Sequence, residues 1–188
     1  MKILTDHRYA IGTGFGLAAL LLLIGLSSGA APNVMDISRY LHVLAGIVWI
    51  GLLYYFNFVQ VPSLPGVSAD TKADLFKEGS IVRRALFWFR WAAMATLILG
   101  LGLYMHLVGY GADGWDIRLG ALLAIVMWFN VWFIIWPNQK KVIGIVSATP
   151  EEKAAAGKLA LYASRTNTIL SIPMLLLMVA SAHFRLFG

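Results

Sequence analysis

Apolar residues dominate five stretches of the chain, 9–26, 40–61, 85–108, 119–136 and 168–184, and polar residues collect between them. Each stretch is close to the ~20 mostly apolar residues that cross a bilayer as a helix. Backbone polar groups have no water to bond in lipid, so such runs must satisfy themselves as helices. The breaks at 27–32, 62–66, 109–114 and 137–138 are rich in Ser, Gly, Pro and Asn, residues that end helices. The longest break, 139–167, contains Thr149-Pro150-Glu151-Glu152, which predicts a short surface helix with proline and acid in its first turn. The pattern therefore predicts an all-α integral membrane protein, a single domain over 1–188 built as a bundle of about five transmembrane helices. No internal repeat or low-complexity segment interrupts it. A second reading of the first run is a secretory signal, because Lys2 and Arg8 precede it and Ser28-Gly29-Ala30 is small enough for cleavage. Asp6 is foreign to such signals, and the run is read as a retained helix.

Composition agrees with this pattern. Sixty per cent of the 188 residues are hydrophobic and the mean hydropathy is +0.76, against roughly 45–50% apolar in soluble domains. The net charge of +6 raises the question of nucleic acid, but the basic residues sit in short loops between apolar runs, so no nucleic-acid partner is expected. There they act as orientation signals. Twelve of the fifteen Lys and Arg residues fall on one side: Lys2, Arg8, Lys72, Lys77, Arg83, Arg84, Arg90, Lys140, Lys141, Lys153, Lys158 and Arg165. The other three, Arg39, Arg118 and Arg185, fall on the opposite side. The positive-inside rule then puts the N-terminus in the cytoplasm and the C-terminus outside. The absence of cysteine excludes disulfides, thiolate metal sites, iron–sulfur clusters and covalently attached c-type haem.

With that topology, three histidines share a level near the outer face: His42 at the start of the second helix, His106 near the end of the third, and His183 near the end of the fifth. Small residues lie one turn deeper beside each, Gly46, Gly102 and Ala180, and Trp49 follows His42 two turns on. Imidazoles beside flat slots suit a porphyrin, and facing helices of a bundle are where such ligands are placed. His42 and His106 are the candidate axial pair for the iron of a non-covalent haem b, with His183 as a third candidate or a proton carrier. Two other readings remain. Interfacial histidines serve as amphipathic anchors and glycines as helix-packing positions, and three imidazoles also suit zinc or copper.

Other polar residues in the spans carry plainer expectations. Asn130 is expected to hydrogen-bond between helices. Arg90, among Phe87, Trp88, Phe89 and Trp91, is expected to snorkel in an aromatic belt, with a haem propionate or an anionic substrate as the alternative partner. Trp128, Trp132 and Trp136 form an i, i+4, i+8 stripe suited to packing or lipid anchoring.

Four blocks carry a resemblance. They are Arg39-Tyr-Leu-His-Val-Leu-Ala-Gly-Ile-Val-Trp-Ile-Gly51, Arg83-Arg-Ala-Leu-Phe-Trp-Phe-Arg-Trp91, Met127-Trp-Phe-Asn-Val-Trp-Phe-Ile-Ile-Trp-Pro-Asn-Gln139 and Ser164-Arg-Thr-Asn-Thr168. Together they resemble the membrane domain of the cytochrome-c-linked urate oxidase (urate hydroxylase) family. The shorter pattern of His42, Trp49 and Gly51 is also similar to copper-resistance-D-type proteins and to the membrane protoporphyrinogen oxidase, which binds haem b. The resemblance implies a multi-pass protein of the bacterial inner membrane, with His42 binding haem or shaping the site. It also implies an oxidoreductase role, passing electrons from a small substrate or quinol to a separate periplasmic c-type cytochrome or larger membrane complex. The alternative is a non-catalytic membrane subunit that scaffolds a complex without cofactor. A transporter fits less well, since the spans hold no inverted repeat and no mid-membrane carboxylate.

Overall fold

The structure, a computed structural model, describes residues 2–187. All regular elements among them are helical. Five helices are long and apolar enough to cross a membrane: α1 (His7–Ser27), α2 (Val34–Gly66), α3 (Ile81–Gly109), α4 (Trp115–Val142) and α5 (Pro150–His183). Each extends beyond its apolar run, because hydropathy marks the lipid-facing middle while capping residues set the ends. At α2, Asn33 Oδ1 accepts the backbone N–H groups of Met35 and Asp36 at 2.8 and 3.1 Å, and Asp36 returns a bond to the Asn33 N–H at 3.0 Å. These bonds use donors that every helix start leaves free. The helix consequently begins at Val34 rather than at 40.

The largest departure from expectation is at the C-terminal end. The surface helix expected near Pro150 and the last span at 168–184 are one 34-residue helix. Thr149 and Glu152 close a capping box, with bonds of 3.2 and 2.9 Å, and alanine, leucine and lysine carry the helix onward without a break. At 1.5 Å per residue, α5 is about 51 Å long, well beyond a ~30 Å hydrocarbon core. Its charged first turns therefore extend past the apolar layer, which is why hydropathy alone reads them as loop.

The chain divides into two compact units, with the boundary between Ile37 and Ser38. The first contains α1, which Asp6 caps by accepting the Arg8 N–H at 2.9 Å. It ends where Gly29 takes φ +93° and Ala30 N–H bonds back to Gly25 O at 2.9 Å, a glycine C-cap. No residue of α1 is buried, and it is apolar right round its circumference, as a span facing lipid should be.

The second unit holds the rest of α2 with α3, α4 and α5. Its core is built from Trp49, Leu53, Phe89, Ala93, Met127 and Val131. α5 turns a row of mostly small residues inward: Ala156, Ala160, Ala163, Asn167, Ser171 and Ala180 are all buried. Opposite it, a Cβ added at Gly120 of α4 would lie 3.3 Å from Leu177 Cβ and 3.6 Å from the Met178 backbone nitrogen. Helices in lipid gain little from hydrophobic exclusion, and small residues of this kind let backbones approach for dispersion contact.

Both α2 and α4 contain a widened π-helical turn, at Tyr55–Gln60 and at Asn130–Ile135. Each precedes a proline, Pro62 or Pro137, that cannot donate to the carbonyl four residues before it. The turns hand over through i→i−5 bonds, Val61 N–H to Phe56 O and Trp136 N–H to Val131 O. Side chains cover carbonyls nearby: Ser63 Oγ donates to Val59 O and Asn138 Nδ2 to Ile134 O, both at 2.7 Å.

Candidate functional site

His42 lies half-buried on α2 against α3, and its Nδ1 is 2.9 Å from the Thr96 carbonyl oxygen. A carbonyl can only accept, so Nδ1 carries the proton, and in its neutral form the ring presents its lone pair at Nε2. Thr96 turns its own hydroxyl back onto Ala92 O at 2.8 Å. The glycine that admits the ring is Gly100, one turn past Thr96. A Cβ there would lie 2.8 Å from His42 Cε1 and 3.2 Å from Nδ1. A Cβ added at Gly46 would lie 3.9 Å from Thr96 Cγ2 instead, and one added at Gly102 would meet nothing within 4 Å. Two residues past Gly100 is roughly 200° of helical rotation, so Gly102 is on the far side of α3.

The structure does not gather the three histidines. His106 is six residues past Gly100, about 9 Å along the axis and roughly 240° away around it; its ring packs on Tyr110 at 4.8 Å. His183 is exposed at the last residue of α5. Among the described residues no three of His, Cys, Asp and Glu are placed to hold a metal ion. Trp49 is 1% exposed in the core, on the same helix as His42, and its indole N–H has no partner among the described residues.

A second polar cluster is assembled from the two π-turns and α5. Asn130 Nδ2 donates to Asn167 Oδ1 at 2.8 Å, and Asn167 Nδ2 donates to Met127 O at 2.9 Å. Asn57 Nδ2 donates to Leu53 O and to Ser164 Oγ, at 2.9 and 2.8 Å. Tyr54 and Ser171 share a hydroxyl–hydroxyl bond of 3.0 Å. Asn130 therefore bonds between helices as the sequence predicts. Asn167 and Ser171 escape that reading because their segment is read there as loop and lipid-facing helix. The signal that finds them is their i, i+4 spacing in line with Ala160 and Ala163.

Arg90 lies in the expected aromatic belt. Its guanidinium carbon is 3.7 Å from the centroid of Trp136 and 5.7 Å from that of Phe87. Trp132 Nε1 bonds the Arg90 carbonyl oxygen at 3.2 Å and meets Trp91 edge-on, so the tryptophan stripe of α4 packs against α3. At the opposite end of α4, Asp116 is 2% exposed and accepts the backbone N–H groups of Leu186 and Phe187 at 3.0 and 3.3 Å.

Comparison with known proteins adds one relationship. No curated protein and no solved structure matches the chain. Residues 110–187, somewhat less than half of it, match the model of the urate oxidase N-terminal family. The Met127–Gln139 and Ser164–Thr168 blocks fall inside this stretch, and His42, Arg90 and His106 fall before it. Over residues 110–187 the chain is similar to the urate oxidase N-terminal membrane domain, as its sequence blocks imply.

Proposed function

We propose that the chain is a urate-hydroxylase-type membrane redox protein of the bacterial inner membrane. It holds haem b non-covalently and passes electrons from a small substrate or quinol to a separate c-type cytochrome. The observation that carries this reading is the match of residues 110–187 to the urate oxidase N-terminal family. The donor chemistry at His42 fits a haem ligand, since metal-binding histidines commonly fix their other ring nitrogen on a carbonyl. His42 would hold the iron through Nε2, the Thr96 carbonyl would keep its tautomer and orientation, and Gly100 would leave the ring its room. When bound, haem supplies one-electron redox chemistry. His106 leaves α3 on another face, so the proposal rests on His42 alone and not on a His42–His106 pair.

Protein purified from haem-replete cells should show a sharp Soret band and a reduced α-band. The pigment should extract into acidified acetone, because no cysteine can retain it. His42→Ala should remove most of the haem, whereas His106→Ala should leave most of it bound. A preparation that is colourless, and stays colourless after haem addition, would end the redox reading.

One observation favours a second reading, a non-catalytic membrane subunit. A groove of about 400 Å³ on the second unit is lined by Ile47, Val48, Gly51, Leu52, Ala85 and Trp88, and none of the three histidines is in it. On that reading His42 is a structural histidine joining α2 to α3. His42→Ala would then lower stability with no pigment to lose.

A further inference from the structure

Arg90 and Lys140 share one aromatic ring. The Arg90 guanidinium carbon is 3.7 Å from the centroid of Trp136, and the Lys140 ammonium is 5.9 Å from it. The two cations come from different helices, α3 and α4, and both meet the Trp136 ring. Among the described residues neither forms an ion pair. Two other cations at this end of the unit are already engaged. Arg83 donates to Phe76 O and Ile143 O at 2.9 and 2.8 Å, and Lys77 pairs with Asp74 at 3.0 Å. A guanidinium stacked on an indole uses its face and leaves its in-plane N–H fork free, the geometry that grips a phosphate with two bonds. A lysine beside it adds a mobile point charge. Two like charges on one ring of an apolar helix pair are favoured by an anion nearby.

The surroundings say which anion. Phe87, Trp88 and Trp91, on the same turns of α3 as Arg90, are about half exposed. In a membrane-spanning helix such side chains face lipid at headgroup height. We infer that Arg90, Lys140 and Trp136 form a binding site for the phosphate of an anionic phospholipid. The headgroup lies across the two cations and the acyl chains run along the exposed aromatic face of α3. Basic clefts between transmembrane helices recognise headgroups by this chemistry. The site is separate from His42, which meets α3 six residues further on at Thr96.

Native mass spectrometry of the full-length protein, released from micelles doped with equal phosphatidylglycerol and phosphatidylcholine, tests this. The wild type should retain phosphatidylglycerol in clear excess. Lys140→Gln should cut that retention about fivefold, and Arg90→Gln with Lys140→Gln about fivefold again, following the ~1 kcal/mol each basic residue contributes near an anionic surface. Lys158→Gln, which removes a cation stacked on Tyr162, should change nothing. If Arg90→Gln fails to fold, Lys140→Gln still decides the matter, since that half-buried side chain meets the Trp136 ring and forms no ion pair among the described residues. Equal retention of the two lipids by the wild type, or by the wild type and Lys140→Gln, would overturn the site. Displacement of the lipid by millimolar inorganic phosphate would assign the cations to a soluble anion and overturn the lipid assignment.

Discussion

At the scale of single residues, the two polar clusters make opposite demands on substitution. Asn167 is fully buried and joins Asn130 to the Met127 carbonyl through both ends of its amide. Asn167→Leu should therefore strand the Asn130 amide donor and take one of two bonds from the Met127 carbonyl, costing about 1–3 kcal/mol. Adding Asn130→Leu should cost much less than it does alone, because its partner is already gone. A double-mutant cycle read by reversible unfolding in mixed micelles checks this, and strict additivity would show that the two amides are not coupled. At His42 the sensitive neighbour is a glycine. Gly100→Ala puts a Cβ 2.8 Å from the imidazole and should push it off the Thr96 carbonyl, with a loss of about 1 kcal/mol for the broken bond. Gly102→Ala meets nothing and should stay within ~0.5 kcal/mol of wild type. An imidazole Nδ1–H resonance that survives in Gly100→Ala would refute this packing. The distinction between Gly100 and Gly102 is invisible in the sequence. Spacing along α3 orders residues by face, but which face meets His42 depends on how α2 lies against α3.

At the scale of helices, existence was legible and extent was not. All five spans follow from apolar runs, because a run of that length has no other way to bury its backbone in lipid. Their ends follow from capping groups that hydropathy does not weigh. Asn33 with Asp36, and Thr149 with Glu152, are each a polar residue followed three later by an acid, and both mark true starts. Weighing them would have extended the second span back to Val34 and joined the expected surface helix to the fifth. The cap at Thr149 is a single side-chain acceptor for the Glu152 N–H. Thr149→Ala should therefore lower local stability by about 1 kcal/mol. Amide exchange should quicken in the first turn of α5 and remain unchanged at Asn167, five turns away. Acceleration along the whole helix would mean that α5 opens as one unit. The π-turns lie at the limit of sequence reading. Pro62 and Pro137 announce a disturbance, but whether the helix kinks, breaks or widens is decided by what surrounds the freed carbonyls. Here Ser63 and Asn138 cover neighbouring carbonyls and the amide nitrogens of Asn57 and Asn130 find acceptors, so the helices continue.

At the scale of the whole molecule, side-chain contacts order the ends of three helices without reference to charge. Arg83 near the start of α3 bonds Ile143 just past the end of α4, and Gly157 near the start of α5 approaches Val142 Cγ2, where an added Cβ would lie at 3.7 Å. At the other end, Asp116 at the start of α4 holds the backbone that follows α5. α3, α4 and α5 thus alternate in direction. One end of the unit gathers Arg83, Arg84, Lys140, Lys141, Lys153 and Lys158, while Arg118 and Arg185 lie at the other. Basic residues in short loops resist translocation, so the crowded end should face the cytoplasm. Alkaline phosphatase, which folds only outside, should be active when fused after Trp115 and inactive when fused after Leu75. The side-chain contacts make this test economical, because fixing one loop fixes the sides of the others in α3, α4 and α5. Activity at Leu75 and none at Trp115 would invert the molecule. His42, joined to α3 at Thr96 and Gly100 in the half towards Gly109, would then lie nearer the cytoplasmic face. A periplasmic cytochrome could not reach a haem there, and the proposed direction of electron flow would fail with the topology.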